Sequence, residues 1–286
     1  MNICFINDNI FWLGGAQRCT TLLVNELIEQ GHDVSVISTN SNYEEDYSKY
    51  GLTKKVKIKY FKFNSNLKRI LLFWTKILEK INNNTNLLKN NFKITRYIYY
   101  YKNKNMIKKI EDYINKEKFD CIIGVSAYYS VLVSLLNLNY KPKRIGWQHS
   151  TTERYFNMKG KFLWHQDAIV KNMFRKLDNY IVLTDIDKNE LKKLYNVDVR
   201  RIYNPCSFKT DEKSKLKNKT FLAVGRLVKV KGFDKLIEAF HYFSLKNSDW
   251  ILKIYGSGPE KEALEELIKK YNLENRIILN PSNCLF

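Results

Sequence analysis

Two cations on a short turn between apolar runs are the arrangement in this sequence best suited to chemistry. Arg226 and Lys231 lie in the stretch FLAVGRLVKVKGFDKLIEAF, residues 221–240. Residues 221–224 form an apolar run of the kind that makes a buried parallel strand, while Phe233, Leu236, Ile237 and Phe240 recur at helical spacing. Gly225 lets the backbone turn off the strand end, and Gly232 closes the turn before the helix. A helix N-terminus already carries partial positive charge, so two further cations there imply an anion supplied from outside the chain. A diphosphate fits, with the guanidinium as a two-pronged donor and the ammonium as a point charge. The competing reading is a pair of solvated loop cations in a basic chain.

Three other places carry chemistry-bearing residues. Gly14 and Gly15 separate a first strand from its helix, where either a plain turn or the close approach of a phosphate or sugar would suit them. His149 stands just past a strand at 144–147, as a structural or a ligand-facing histidine would. Asp185 and Asp187 spell D-x-D, a pattern that can hold a metal-bound diphosphate. Thr184 ahead of them and a helix behind make a capping arrangement the better reading, and no metal is expected.

The elements that must position these residues alternate strand and helix from the first residues: strand 3–6, helix 16–29, strand 33–37. Further strands are expected at 56–61, 119–125, 144–147 and 179–183, and residues 200–203 close the first domain. A polar, Lys-rich connector follows Asn204-Pro205 and runs to Lys219. The second region reads as strand, loop, helix, then strand 250–255, a Gly256-Ser257-Gly258 turn, a helix opening at Pro259, and strand 276–279. The expected organisation is an N-terminal domain at 1–204, a connector at 205–219 and a partial second domain at 220–286.

The chain has 286 residues, which suits two domains or one large one, and its 44% hydrophobic content is enough to bury a core. Its 49 Lys and Arg against 29 Asp and Glu give a formal charge of +20. That favours an anionic partner, but Lys, Asn, Ile and Tyr are abundant together, as codon bias would make them, and the Lys residues are dispersed. No nucleic-acid-binding signature accompanies them, so nucleic acid is not an expected partner. Five Cys lie far apart without metal-ligand spacing and read as reduced thiols. No apolar run reaches the roughly 20 residues that span a bilayer, and the start of the chain lacks the features of a cleaved leader; a cytoplasmic location is expected.

The run VGRLVKVKGFDKLIEAF, followed by IYGSGPEKEALEELIKKYNLENRIIL, resembles the nucleotide-sugar half of glycosyltransferase family 4, the retaining GT-B enzymes. GGAQR near the start, WQHSTTER in the middle and RRIYNP at the junction extend the likeness over the whole chain. The resemblance implies two Rossmann-like, doubly wound domains, the second incomplete. It implies transfer of a sugar from a nucleoside diphosphate donor to a saccharide or lipid-linked acceptor in surface polysaccharide or glycan synthesis, with no cofactor. It assigns Arg226 and Lys231 to the leaving diphosphate and His149 to the sugar and acceptor, as catalytic residues. Gly14, Gly15, Gly225, Gly256 and Gly258 join Arg226 and Lys231 as donor-binding positions. The family's spaced Glu pair has no counterpart after Leu279, so a fragment or shortened gene with impaired catalysis is expected; the alternative is a non-catalytic acceptor-binding remnant.

One further segment stands out. Over 66–81 the residues Leu67, Ile70, Leu71, Trp74, Ile77, Leu78 and Ile81 share a helical face suited to packing on the sheet. Leu72 and Phe73 then point outward among Lys68, Arg69, Lys76 and Lys80, a combination suited to peripheral contact with an anionic membrane surface. Coverage by the Asn-rich loop at 82–91 or by the aromatic belt at 97–101 is the alternative.

Overall fold

The computed structural model describes residues 1–61, 69–159, 163–206 and 210–281, and within them the side chains other than those of 69–72 and 101–103. The chain forms two compact units, Met1–Lys209 and Thr210–Phe286, divided inside the expected connector.

The first unit holds β1 (Asn2–Asn7), α1 (Gly15–Glu29), β2 (Asp33–Ser38), β3 (Lys57–Tyr60), α2 (Arg69–Thr85), α3 (Phe92–Glu117) and β4 (Cys121–Val125). It continues through α4 (Ala127–Leu135), β5 (Lys143–Trp147), α5 (Asp167–Met173), β6 (Asn179–Val182), α6 (Asp185–Tyr195) and β7 (Val199–Arg201). The seven strands run parallel in the order β3-β2-β1-β4-β5-β6-β7. Strand order therefore reverses between β1 and β4, the place where a doubly wound sheet opens a crevice at its carboxyl edge.

Both faces of the sheet are covered, and the period-2 alternation of strand side chains feeds two cores. From β1, Ile3 and Phe5 enter one core with Val24, Val34 and Val36. Cys4 and Ile6 enter the other, with Ile107, Ile110 and Ile114 from α3 and Val131 and Leu132 from α4. Cys4, Cys19 and Cys121 are buried free thiols and Cys206 is exposed; Cys284 lies outside the described residues.

The helix expected over 66–81 is α2, but its setting differs from the expectation. Its first residues, 66–68, and the Leu72 side chain lie outside the described residues. Phe73 points outward, 59% exposed, yet Trp74 and Ile81, assigned to the packing face, are 54% and 40% exposed. The sheet face is already occupied by α3, and α2 packs on α3 as an outer layer. The tyrosine belt and the basic run after it are both part of α3 rather than a segment leading into it, and the Asn-rich loop shortens because α2 continues to Thr85.

The second unit holds β8 (Thr220–Val224), α7 (Phe233–Ser244), β9 (Ile251–Tyr255), α8 (Lys261–Lys270) and β10 (Ile277–Asn280), a parallel sheet in the order β10-β9-β8. Leu252, Ile254, Ile237, Phe240, Leu264 and Ile268 are buried in its core. β8 is not the buried strand its apolar sequence suggested. It lies at the edge, with Phe221, Leu222 and Val224 42%, 61% and 56% exposed, and Phe221 stacks on Trp250 at 4.8 Å. α8 begins two residues after Pro259, with Glu260 as its cap residue.

Candidate functional site

In the first unit the sequence-selected positions come together at the carboxyl edge around the strand-order reversal. Gly14 and Gly15 follow β1; Ser126 follows β4, which pairs with β1; His149 follows β5, which pairs with β4. The Ser126 amide donates to the Trp147 carbonyl at 2.8 Å, tying the last two strand ends together. α1 and α4 both start here without an acidic residue in the first turn or a side-chain cap, which leaves two positively polarised helix ends open to an anion. A Cβ built on Gly15 would meet nothing within 4 Å, so this position opens on free space.

The His149 ring packs against Trp147, with centroids 4.1 Å apart. Both ring nitrogens are buried without a hydrogen-bond partner among the described residues, as is the Trp147 Nε1. Burial lowers the imidazole pKa from 6.5 to about 4, so at neutral pH His149 offers one N–H donor and one acceptor lone pair. That suits a sugar hydroxyl better than a phosphate.

A buried chain of hydrogen bonds fixes the loop that carries His149. Tyr180 Oη donates to Gln148 Oε1 at 2.8 Å, and Gln148 Nε2 donates to Thr152 Oγ1 at 3.3 Å. The Thr152 amide donates to Asp187 Oδ1 at 2.7 Å. Asp187 also accepts from Thr184 Oγ1 at 2.6 Å, while its amide donates back to Thr184 Oγ1 at 3.0 Å. The D-x-D sequence is therefore a cap: Thr184 closes α6, Asp187 is 4% exposed and braces the β5 loop, and Asp185 pairs with Arg201 at 3.1 Å.

Two residues at this edge escaped sequence reasoning. Ser126 has φ +90°, a conformation that costs a non-glycine residue energy and that no sequence pattern announces. Asp8, directly after β1, has its carboxyl pKa raised by burial, against a hydrogen bond from Asn40. Its place at a strand end was the available signal. A hollow of about 590 Å³ lined by Asp167, Lys171 and Tyr195 lies at the C-terminal end of α6, whereas this site faces the N-terminal end.

In the second unit, Gly225 follows β8, and its amide donates to Tyr255 O at 3.0 Å. Arg226 and Lys231 are both exposed, and neither side chain has an ion pair or hydrogen bond with another described residue. Lys231 ends a 3-10 turn, Lys229–Lys231, and Gly232 at φ +67° makes the left-handed turn into α7. One expectation needs correcting: an acidic residue does stand at this helix end, because Asp234 lies in the first turn of α7 and lines a narrow crevice with Lys229 and Glu260. Gly256 and Gly258 have a packing role. A Cβ on Gly256 would come within 2.0 Å of Gly225 O, and one on Gly258 within 2.3 Å of Leu227 O. Their missing side chains let the β9 loop lie directly on the loop bearing Arg226.

Comparison with known proteins places this arrangement in context. Residues 13–207 match the family model described as Glycosyltransferase Family 4, and residues 207–282 match Glycosyl transferases group 1. An uncharacterized glycosyltransferase of Haemophilus influenzae is 28% identical over 98% of this chain and 68% of its own length. The poly(ribitol-phosphate) alpha-N-acetylglucosaminyltransferase of Staphylococcus aureus is 25% identical over 64% of this chain, and the match spans 42% of that relative. Among solved structures, Anabaena HepE in complex with UDP superposes with a TM-score of 0.66 at 13% identity, covering 98% of this chain and 69% of that one. The two parallel α/β units have the GT-B fold that the sequence led us to expect.

Proposed function

The chain belongs to glycosyltransferase family 4, and from that premise we propose that it transfers a glycosyl group from a nucleoside diphosphate to a saccharide or lipid-linked acceptor in surface polysaccharide synthesis, with retention at the anomeric carbon. The observation that carries this reading is the exposed Arg226 and Lys231 side chains, without a partner among the described residues, on a loop held in place by two side-chain-free contacts. As the bond from the anomeric carbon to the diphosphate oxygen breaks, the sugar gains positive and the leaving group negative charge. Cations fixed at the diphosphate stabilise that state more than the ground state. The neutral His149 ring holds a sugar or acceptor hydroxyl, and the open start of α1 at Gly15 offers backbone N–H groups. Bound UDP in a structural neighbour and the poly(ribitol-phosphate) named for the Staphylococcus relative support the donor and acceptor classes.

The test is a panel of nucleoside diphosphate sugars offered to the purified chain, with calorimetry of the free diphosphates beside a turnover assay. Affinity for at least one diphosphate, lost with Arg226 and Lys231, is the expected result. Equal indifference to every diphosphate would overturn the reading.

A further inference from the structure

α2 is built inside out. A helix on a soluble protein normally buries its apolar residues and shows its polar ones. Among the described side chains of α2 the two buried residues are Thr75 and Asn82, at 3% and 2% exposure, with Phe73, Trp74 and Ile81 exposed. Asn82 is held by a reciprocal pair with His165: its Nδ2 donates to His165 O at 2.6 Å, and His165 Nδ1 meets Asn82 O at 2.6 Å. At 3.6 residues per turn, Thr75 and Asn82 fall on one side of the helix. Phe73, Ile77, Ile81 and Trp74 cover an arc of about 100° on the solvent side, and Lys76 and Lys80 follow next to Phe73.

The charge of the chain concentrates in the same place. Between positions 69 and 110, the hairpin of α2 and the first two thirds of α3, there are ten Lys or Arg and one acid, Glu79, a net +9 of the total +20. Lys76, Lys80, Lys93, Arg96 and Lys104 are exposed. So dense a positive field repels a second copy of this chain, and Ile77 and Ile81, which continue the aromatic pair as an aliphatic row, have no stacking partner on a nucleic acid. A basic row beside an apolar row is the pattern that lies in the headgroup region of an acidic bilayer.

We propose that the exposed face of α2, with Phe73, Trp74 and Ile81 inserted and Lys76 and Lys80 at the headgroups, docks this protein on an anionic phospholipid surface. No described helix is long and apolar enough to cross a membrane, so the contact is with one leaflet. Insertion of an indole and a phenyl ring adds apolar burial to the electrostatic attraction, and the two together give reversible docking. This surface is independent of the diphosphate-binding loop, and the two readings fail separately.

The experiment is co-sedimentation of the full chain with phosphatidylcholine vesicles, with and without phosphatidylglycerol, across a salt series, alongside tryptophan emission with brominated lipid as quencher. Binding to the anionic vesicles alone, weakening with salt, is expected, with a blue shift and quenching that disappear in Trp74→Ser. Phe73→Ser with Trp74→Ser, and separately Lys76→Glu with Lys80→Glu, should each reduce partitioning by about tenfold or more without changing the melting temperature. No binding, equal binding to neutral vesicles, or unchanged binding in either double variant would overturn the proposal. Tight binding to DNA or RNA in place of vesicles would overturn it as well.

Discussion

His149 and Trp147 stand with ring centroids 4.1 Å apart at the end of β5, each with buried ring nitrogen and no partner for it among the described residues. A buried polar group left unpaired costs about 1–3 kcal/mol, so the site holds unused hydrogen-bonding capacity where a sugar hydroxyl could take it up. His149→Ala should lower transfer while leaving affinity for the free diphosphate unchanged. A matched loss of both in calorimetry and turnover would place His149 outside the acceptor side.

The same ring sets a pH dependence. Its folded pKa, about 4, is below the ordinary 6.5, so between these values the unfolded chain takes up a proton that the folded chain refuses. Stability from this group is complete above pH 6.5 and is lost as pH falls toward 4, by about 2 kcal/mol at pH 5. Urea unfolding at pH 7 and pH 5 should show that loss in the wild type and not in His149→Gln.

Arg226→Ala and Lys231→Ala should each weaken nucleoside diphosphate binding by about 1.5–3 kcal/mol, the range for charge-assisted hydrogen bonds. Because neither side chain has a described partner to lose, the melting temperature should stay within error. Calorimetry in which the double variant binds as tightly as wild type would remove the diphosphate from this loop.

Capping and metal binding by D-x-D predict different mutants. Asp187→Ala removes the buried carboxylate that accepts from Thr184 Oγ1 and from the Thr152 amide, and should cost about 2–4 kcal/mol of stability. Asp185→Ala loses one partly exposed ion pair, worth about 1 kcal/mol or less, and should leave turnover unchanged. Equal, manganese-dependent loss of turnover in both variants would restore the metal reading.

Glycine substitutions separate packing from ligand approach. Ala at 256 or 258 drives a Cβ into a backbone carbonyl and should destabilise the second unit by about 3 kcal/mol or more. Gly15→Ala meets open space at a helix start and should be neutral or stabilising by up to about 1 kcal/mol. If transfer falls nonetheless, backbone access at Gly15 is what the reaction uses.

Much of the architecture was legible because helical segments show their own period, while runs such as CFIN and CIIGV are too short for a helix and rich in strand-forming residues. The sequence pattern does not say which layer an amphipathic helix joins. Leu71, Trp74 and Leu78 read as a core face, but α3 offers more apolar surface to the sheet through Ile107, Ile110 and Ile114, and it takes that place. Leu222 and Val224 carry strand propensity, and they are exposed because β8 is at the edge of the three described strands, a position that propensity does not announce. At the site, Gly14, Gly15 and His149 could be read from chain position. The strained Ser126 could not, because its φ is imposed by the junction of β4 and α4 rather than by its own residue type. Asp234 was visible in GFDKL and was outweighed by the neighbouring cations.

The outer-layer position of α2 bears on the order in which the molecule opens. Its buried described side chains, Thr75 and Asn82, are polar, and the reciprocal hydrogen bonds of Asn82 and His165 are ones that water can replace. α3, by contrast, is locked by a row of isoleucines against the sheet. Local opening free energies follow buried apolar contact, so α2 should open ahead of α3. Its amides should exchange with deuterium well ahead of those around Ile107–Ile114, and a docked bilayer would slow the first set while leaving the second unchanged.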